Sequence, residues 1–209
     1  MEDVLEVYHR PHDPRRPVVC MDEQPVQLIK ETRQPIAARP GQPQRVDYEY
    51  ERAGTANHFL FTEPLRGWRK VSVRGTKTSV DWAHEVKRLL EADYPKADKV
   101  VLVCDNLNTH KPGALYEAFP PEEARRLCER LEIHHTPKHG SWLNIAEIEL
   151  SVLTKQCLNR RIPDVATLTH EVQSWATDRT AKQKGVDWHF TATDARVRLK
   201  RLYPQYQSG

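Results

Sequence analysis

Five consecutive apolar residues, Val100-Val101-Leu102-Val103-Cys104, run straight into Asp105-Asn106. A run of that kind has no polar face to turn towards water, so it fits a central strand covered by helices on both sides. A carboxylate at the tip of such a strand opens onto the crevice beyond the carboxyl ends of an α/β sheet, which is where ligands bind.

The segments around that strand alternate in a definite order. Val18, Val19 and Cys20 form a second extended apolar run that stops at Met21-Asp22-Glu23-Gln24, with Val26, Leu28 and Ile29 able to continue it. Phe59-Leu60-Phe61 and the alternating Val71 and Val73 mark two more strands, over 57–62 and 68–73. The tyrosines of 47–52 have too few apolar neighbours for that segment to read as a strand. The period then changes. Val80, Ala83, Val86, Leu89 and Leu90 share a helical face within 76–93, with Thr78 or Ser79 as cap. A helix opening at Pro120-Pro121 turns Ala124, Leu127, Cys128 and Leu131 inward, and a short strand is expected over 133–136. Leu143, Ala146, Leu150, Leu153 and Cys157 recur at helical spacing over 143–158, and further helices are expected over 163–180 and 193–203. Three antiparallel strands followed by helix-linked parallel strands make an α/β protein with the ribonuclease H-like fold. It comprises a mixed five-stranded sheet, helices on both faces and a helical C-terminal extension.

The chain has 209 residues, enough for one substantial core, and divides into a connector (1–16), a catalytic-size α/β domain (17–162) and a basic helical extension (163–209). The net charge of +3 is too mild to mark a nucleic-acid binder. Its distribution is more informative: from Ser151 onward there are ten basic against five acidic residues, a balance suited to a polyanionic partner or to an ordinary solvated helix surface. No apolar stretch approaches the ~20 residues of a membrane span, and the N-terminus lacks the apolar core of a signal peptide. Cys20, Cys104, Cys128 and Cys157 form no Cys-x-x-Cys pair, so reduced thiols and an intracellular setting are expected.

Asp22 and Asp105 each follow an apolar strand. If those strands are neighbours, the two carboxylates converge and repel unless a cation stands between them. A third acid is expected from the helix that crosses the strand ends. Within Gly140-Ser141-Trp142-Leu143-Asn144-Ile145-Ala146-Glu147-Ile148-Glu149, Asn144 and Glu147 share a face, whereas Glu149 lies about 200° further round. Glu147 is therefore the candidate. Oxygen ligands alone suit Mg²⁺ or Mn²⁺ rather than Zn²⁺. Taken singly, each acid also reads as a turn, cap or solvated helix residue.

Three blocks make the pattern recognisable: Cys20-Met21-Asp22-Glu23, Val103-Cys104-Asp105-Asn106-Leu107-Asn108-Thr109-His110, and Pro137-Lys138-His139-Gly140-Ser141-Trp142-Leu143-Asn144-Ile145-Ala146-Glu147. They resemble the catalytic blocks of DDE transposases, in the bacterial insertion-sequence branch related to mariner. Val186-Asp187-Trp188-His189-Phe190-Thr191 and Leu202-Tyr203-Pro204 extend the likeness. The resemblance implies a catalytic and metal-binding triad of Asp22, Asp105 and Glu147 holding two Mg²⁺ (or Mn²⁺) ions. It implies cleavage and strand transfer of double-stranded DNA at element ends and target, a homodimeric synaptic complex, no membrane partner and a bacterial cytoplasmic, nucleoid-associated location. It also implies helix-turn-helix units upstream, for which this sequence has no room before Asp22.

Supporting roles follow. Asn106 and His110 are candidates for orienting the scissile phosphate or the metal shell, and Asn144 for supporting Glu147. Trp142 can stack on a frayed base or anchor its helix. Arg66, Arg69, Lys70, Arg74, Lys138, Arg160 and Arg161 are candidate phosphate contacts. Two other readings stay in view. One is a zinc site built on His134, His135 and His139, which lack a Cys-x-x-Cys partner. The other is a catalytically silent DNA-binding or assembly fragment of a transposase.

Overall fold

The structure, a computed structural model, describes residues 1–138 and 140–203; His139 and Pro204–Gly209, where part of the histidine cluster and the Leu-Tyr-Pro motif fall, lie outside them. The elements in order are α1 (Glu2–Tyr8), β1 (Val18–Glu31), β2 (Tyr50–Glu63), β3 (Trp68–Arg74), α2 (Ser79–Arg88), β4 (Val100–Cys104), α3 (Gly113–Ala118), α4 (Pro121–Glu129), β5 (Leu131–His135), α5 (Ile145–Leu153), α6 (Val165–Ala181) and α7 (Ala192–Arg198). Single π turns extend α2 over Leu89–Asp93 and α5 over Thr154–Leu158.

The strands form one sheet in the order β3-β2-β1-β4-β5. β1, β2 and β3 pair antiparallel, and β1-β4 and β4-β5 pair parallel. This is the mixed ribonuclease H-like sheet expected from the sequence. All of β4 is buried, because successive side chains feed two cores. Val100, Leu102 and Cys104 join Val19, Met21, Phe59, Phe61 and Trp82 beneath α2, α3 and α4. Val101 and Val103 join Cys20, Leu60, Ile145, Leu150 and Leu168 on the other face, beneath α5 and α6. Each such side chain contributes roughly 1.5–3 kcal/mol of burial, which is why the one uninterrupted apolar run lies at the centre.

Several boundaries differ from expectation. β1 continues to Glu31, as Val26, Leu28 and Ile29 allow, whereas β2 begins at Tyr50, inside the segment set aside for its polarity. These strands pair from Val26↔Ala56 to Glu31↔Tyr50; Leu28 and Ala56 still enter the core, while the Tyr50 end is exposed and needs no apolar alternation. Val80 is 39% exposed; the inward face of α2 is built from Trp82, Ala83 and Val86 instead. The helix expected from Leu143 begins at Ile145, after a short 3-10 turn. In the 1–16 segment, α1 buries Val4, Leu5, Val7 and Tyr8 in the same core as α5, and Leu168, Val172, Ala176 and Ala195 of the C-terminal helices enter it too. Among the described residues, no helix is long and apolar enough to cross a membrane.

Candidate active site

The β1-β4 register pairs Val18 with Val101, Val19 with Leu102 and Cys20 with Val103. Carried two residues on, it sets Asp22 beside Asp105, just where β4 ends and β1 runs on alone with β2. Side chains alternate along a strand. Asp22 therefore follows Cys20 to the α5 face, and Asp105, one residue past the end of β4, lines the same cleft.

Helix α5 is seated on that face by its own start. Gly140 passes so close to Pro137 that an added Cβ would lie 2.5 Å from the proline ring. The 3-10 turn that follows delivers Asn144 as the helix cap: its side chain accepts from the Ala146 amide at 3.1 Å and donates to the Met21 carbonyl at 2.9 Å. Tyr8 donates its hydroxyl to the Leu143 carbonyl at 2.7 Å. The cap thus ties α5 to the residue before Asp22 and places Glu147, in the first turn, over the strand ends. Glu149 points away, as its helical angle requires. It is buried and accepts two hydrogen bonds from Arg69, at 2.7 and 2.8 Å, and one from Arg179 at 3.1 Å.

Asp22, Asp105 and Glu147 line one cleft of about 530 Å³, with Glu23, Gln24, Leu150, Ser151, Thr154 and Lys155. Burial pushes the Asp22 carboxyl up to about 7, and the charges of Asp105, Glu23 and Glu147 push the same way against the Glu23 amide that donates to it. The three acids share the cleft without closing on a point: among the described residues, no three His, Cys, Asp or Glu side chains are gathered tightly enough to hold a single ion. The donor set is carboxylate oxygen throughout, spread around the cleft. Oxygen donors of this kind fit hard divalent cations.

The other sequence candidates divide. Asn106 and Lys138 line an adjoining hollow of about 320 Å³ on the far side of Asp105. Trp142 is 41% exposed and edges onto Phe190. His110 is buried and does not line the cleft; it lies against Asp105 from below. Arg69 serves Glu149, Lys70 pairs with Asp93, Arg74 with Glu85 and Asp81, Arg66 with Glu63, Arg160 with Glu171 and Arg161 with Glu31. None of these arginines, nor Lys70, lines the acid cleft. His134 pairs with Asp3 and Glu132, and the His135 ring contacts the His110 carbonyl, so neither histidine is organised as a zinc ligand. The cation that does line the cleft, Lys155, escaped the sequence reading. Its signal was its position two turns after Glu147, on the face shared by Ser151 and Thr154.

The family model described as DDE superfamily endonuclease matches residues 17–169, which include all three acids. The chain belongs to the DDE superfamily of endonucleases. Two solved structures resemble it in fold. One is the Mos1 mariner paired-end complex with Mn, with a TM-score of 0.56 and 16% identity over 88% of this chain and 55% of that one. The other is the Mos1 strand transfer complex, with a TM-score of 0.55 and 16% identity over 88% and 56%. The chain thus spans little more than half the length of these structures. Among curated proteins no sequence matches.

Glu147 and Glu149 are expected to behave oppositely on truncation. Glu149→Ala strands the buried Arg69 and should cost about 3–5 kcal/mol of stability, whereas Glu147→Ala should stay within about 1 kcal/mol of the native chain. Urea denaturation of both variants checks this. A fully stable Glu149→Ala would contradict the assignment of Glu149 as the structural acid.

Proposed function

We propose that this DDE-family chain is the catalytic region of a transposase, performing divalent-metal-dependent cleavage and strand transfer of double-stranded DNA at element ends. The observation that carries the reading is the shared cleft of Asp22, Asp105 and Glu147 in a chain whose family match spans all three. The fold neighbours add support, being described as a paired-end complex with Mn and a strand transfer complex. On this reading the DNA partner is held in a synaptic complex by two copies of the chain.

Asp22, Asp105 and Glu147 would hold two Mg²⁺ or Mn²⁺ ions. Bound there, such ions supply activation of the attacking oxygen and stabilisation of the leaving oxygen in phosphoryl transfer. The chain's own residues do the rest. Asn144 fixes the first turn of α5 against β1, so that Glu147 stands opposite Asp22. Lys155 offers a positive charge at the mouth of the acid cleft, where it can take a phosphate oxygen of the strand. Asn106 and Lys138 border the other side of Asp105, where the flanking backbone can pass. Salt should weaken DNA binding through the phosphate contacts.

The decisive experiment is cleavage of a nicked or terminal-repeat duplex in Mn²⁺. Asp105→Asn should lower the rate by on the order of 10²–10³ with DNA binding retained. Equal rates for variant and native chain, or DNA binding with no cleavage by either in the presence of any partner domain, would leave an assembly fragment as the better description. A second expectation follows from Asp22. A carboxyl whose folded pKa is raised to about 7 stabilises the protonated fold, and that contribution is lost as pH rises through 7. Neutralising the cleft should then help most above that pH: Mn²⁺ should raise Tm more at pH 8 than at pH 6, and Asp22→Asn should remove the difference. A Tm rise independent of pH would contradict the assignment.

A further inference from the structure

Below the cleft, on the opposite face of the sheet, Asp105 is joined to Glu23 through one imidazole. The Nδ1 of His110 lies 2.5 Å from Oδ1 of Asp105, and its Nε2 lies 3.1 Å from Oε2 of Glu23. The side chains of His110 and Glu23 are 1% and 3% exposed, so water scarcely competes for either contact. The ring lies nearly parallel to the buried Trp82 indole, 5.8 Å away at 28°. The His110 backbone is held as well, since its carbonyl meets the His135 ring at 2.8 Å and its amide donates to the Leu107 carbonyl at 3.1 Å. Lys77 reaches the outer oxygen of Glu23 at 3.8 Å.

Asp105 needs such support more than its two companions. Asp22 is held within a strand and Glu147 within a helix, but Asp105 follows the last residue of β4, where the backbone leaves regular structure. Its side chain is 27% exposed. His110 Nδ1 faces both this carboxylate, as an ion-pair contact, and the Asp105 backbone carbonyl at 3.3 Å, and the buried Glu23 carboxylate stands against the far side of the ring.

We propose that His110 is a positioning residue for Asp105, anchored by Glu23 and Trp82, and that this relay aims the Asp105 carboxylate at the cation site of the cleft. The inference rests on the metal reading of the cleft given above. It assigns the Glu23 carboxylate, 3% exposed although the residue borders the cleft, to the support of Asp105 rather than to the ligand set. Outer partners of this kind commonly change metal affinity by 10–100-fold when removed.

The test is Mn²⁺ binding to the DNA-free full chain by titration calorimetry, with the fold of each variant checked by circular dichroism. His110→Ala should weaken Mn²⁺ about 10-fold or more. His110→Asn, whose amide nitrogen can stand where Nδ1 stands, should bind closer to the native chain than to His110→Ala. Glu23→Gln, which keeps the shape and removes the anchoring charge, should weaken binding in the same direction. Native affinity in both His110→Ala and Glu23→Gln would overturn the proposal, as would an Asn variant no better than Ala. If His110→Ala does not fold, the Asn and Gln variants decide: native affinity in Glu23→Gln then overturns it. Asp105→Asn is the control that separates the two claims. If it binds Mn²⁺ like the native chain, or the native chain takes up no Mn²⁺, the metal reading itself fails and takes the relay with it.

Discussion

The parallel pairing of β1 with β4 is the constraint on which the rest depends. Its register is what sets Asp22 beside Asp105, although they lie far apart in sequence. A slip of one residue would turn β1's apolar residues to the wrong core and send Asp22 to the opposite face from α5. The register is strongly specified because both faces of β4 are buried: Val19 and Met21 fit one core, Cys20 the other. The same burial that stabilises the sheet fixes the spacing of the two acids. Burial at that position, with the neighbouring acid charges adding to it, raises the Asp22 pKa.

Helix α5 depends on polar contacts as much as on apolar ones. Its N-terminus is pinned by Asn144 and Tyr8, and its middle by the buried Glu149 with Arg69 and Arg179. A buried ion pair of this kind is a weak source of net stability but a strong penalty on misplacement. The arrangement fixes which way the helix faces: Glu149 can reach β3 and α6 only when Glu147 is turned to the strand ends. Two acids two residues apart are thus divided between architecture and chemistry by the helical angle alone.

Much of this was legible in the sequence. The apolar run of β4, the acids after it and after Val18-Val19-Cys20, and the opposed faces of Glu147 and Glu149 follow from periodicity. The mixed sheet follows from the order of elements, and the three blocks carry the resemblance to the family. What was hidden has a common physical cause, namely long-range partnership. Arg69 reads as a phosphate contact because nothing local reveals that Glu149 will neutralise it. His110 reads as a cleft residue because its stacking on Trp82 exists only once α2 is folded under the sheet. The start of β2 at Tyr50 leaves little apolar trace, since its side chains are exposed and backbone pairing defines it.

The central claim is that Asp22, Asp105 and Glu147 together receive divalent cations at the ends of β1 and β4. Anomalous scattering from a crystal of this chain soaked in Mn²⁺ measures that directly. The account requires manganese peaks in the cleft with carboxylate oxygens of all three acids as ligands, drawn inward from their present spread. Manganese bound elsewhere, or a cleft in which any one of the three acids stays out of contact with every peak, would contradict it.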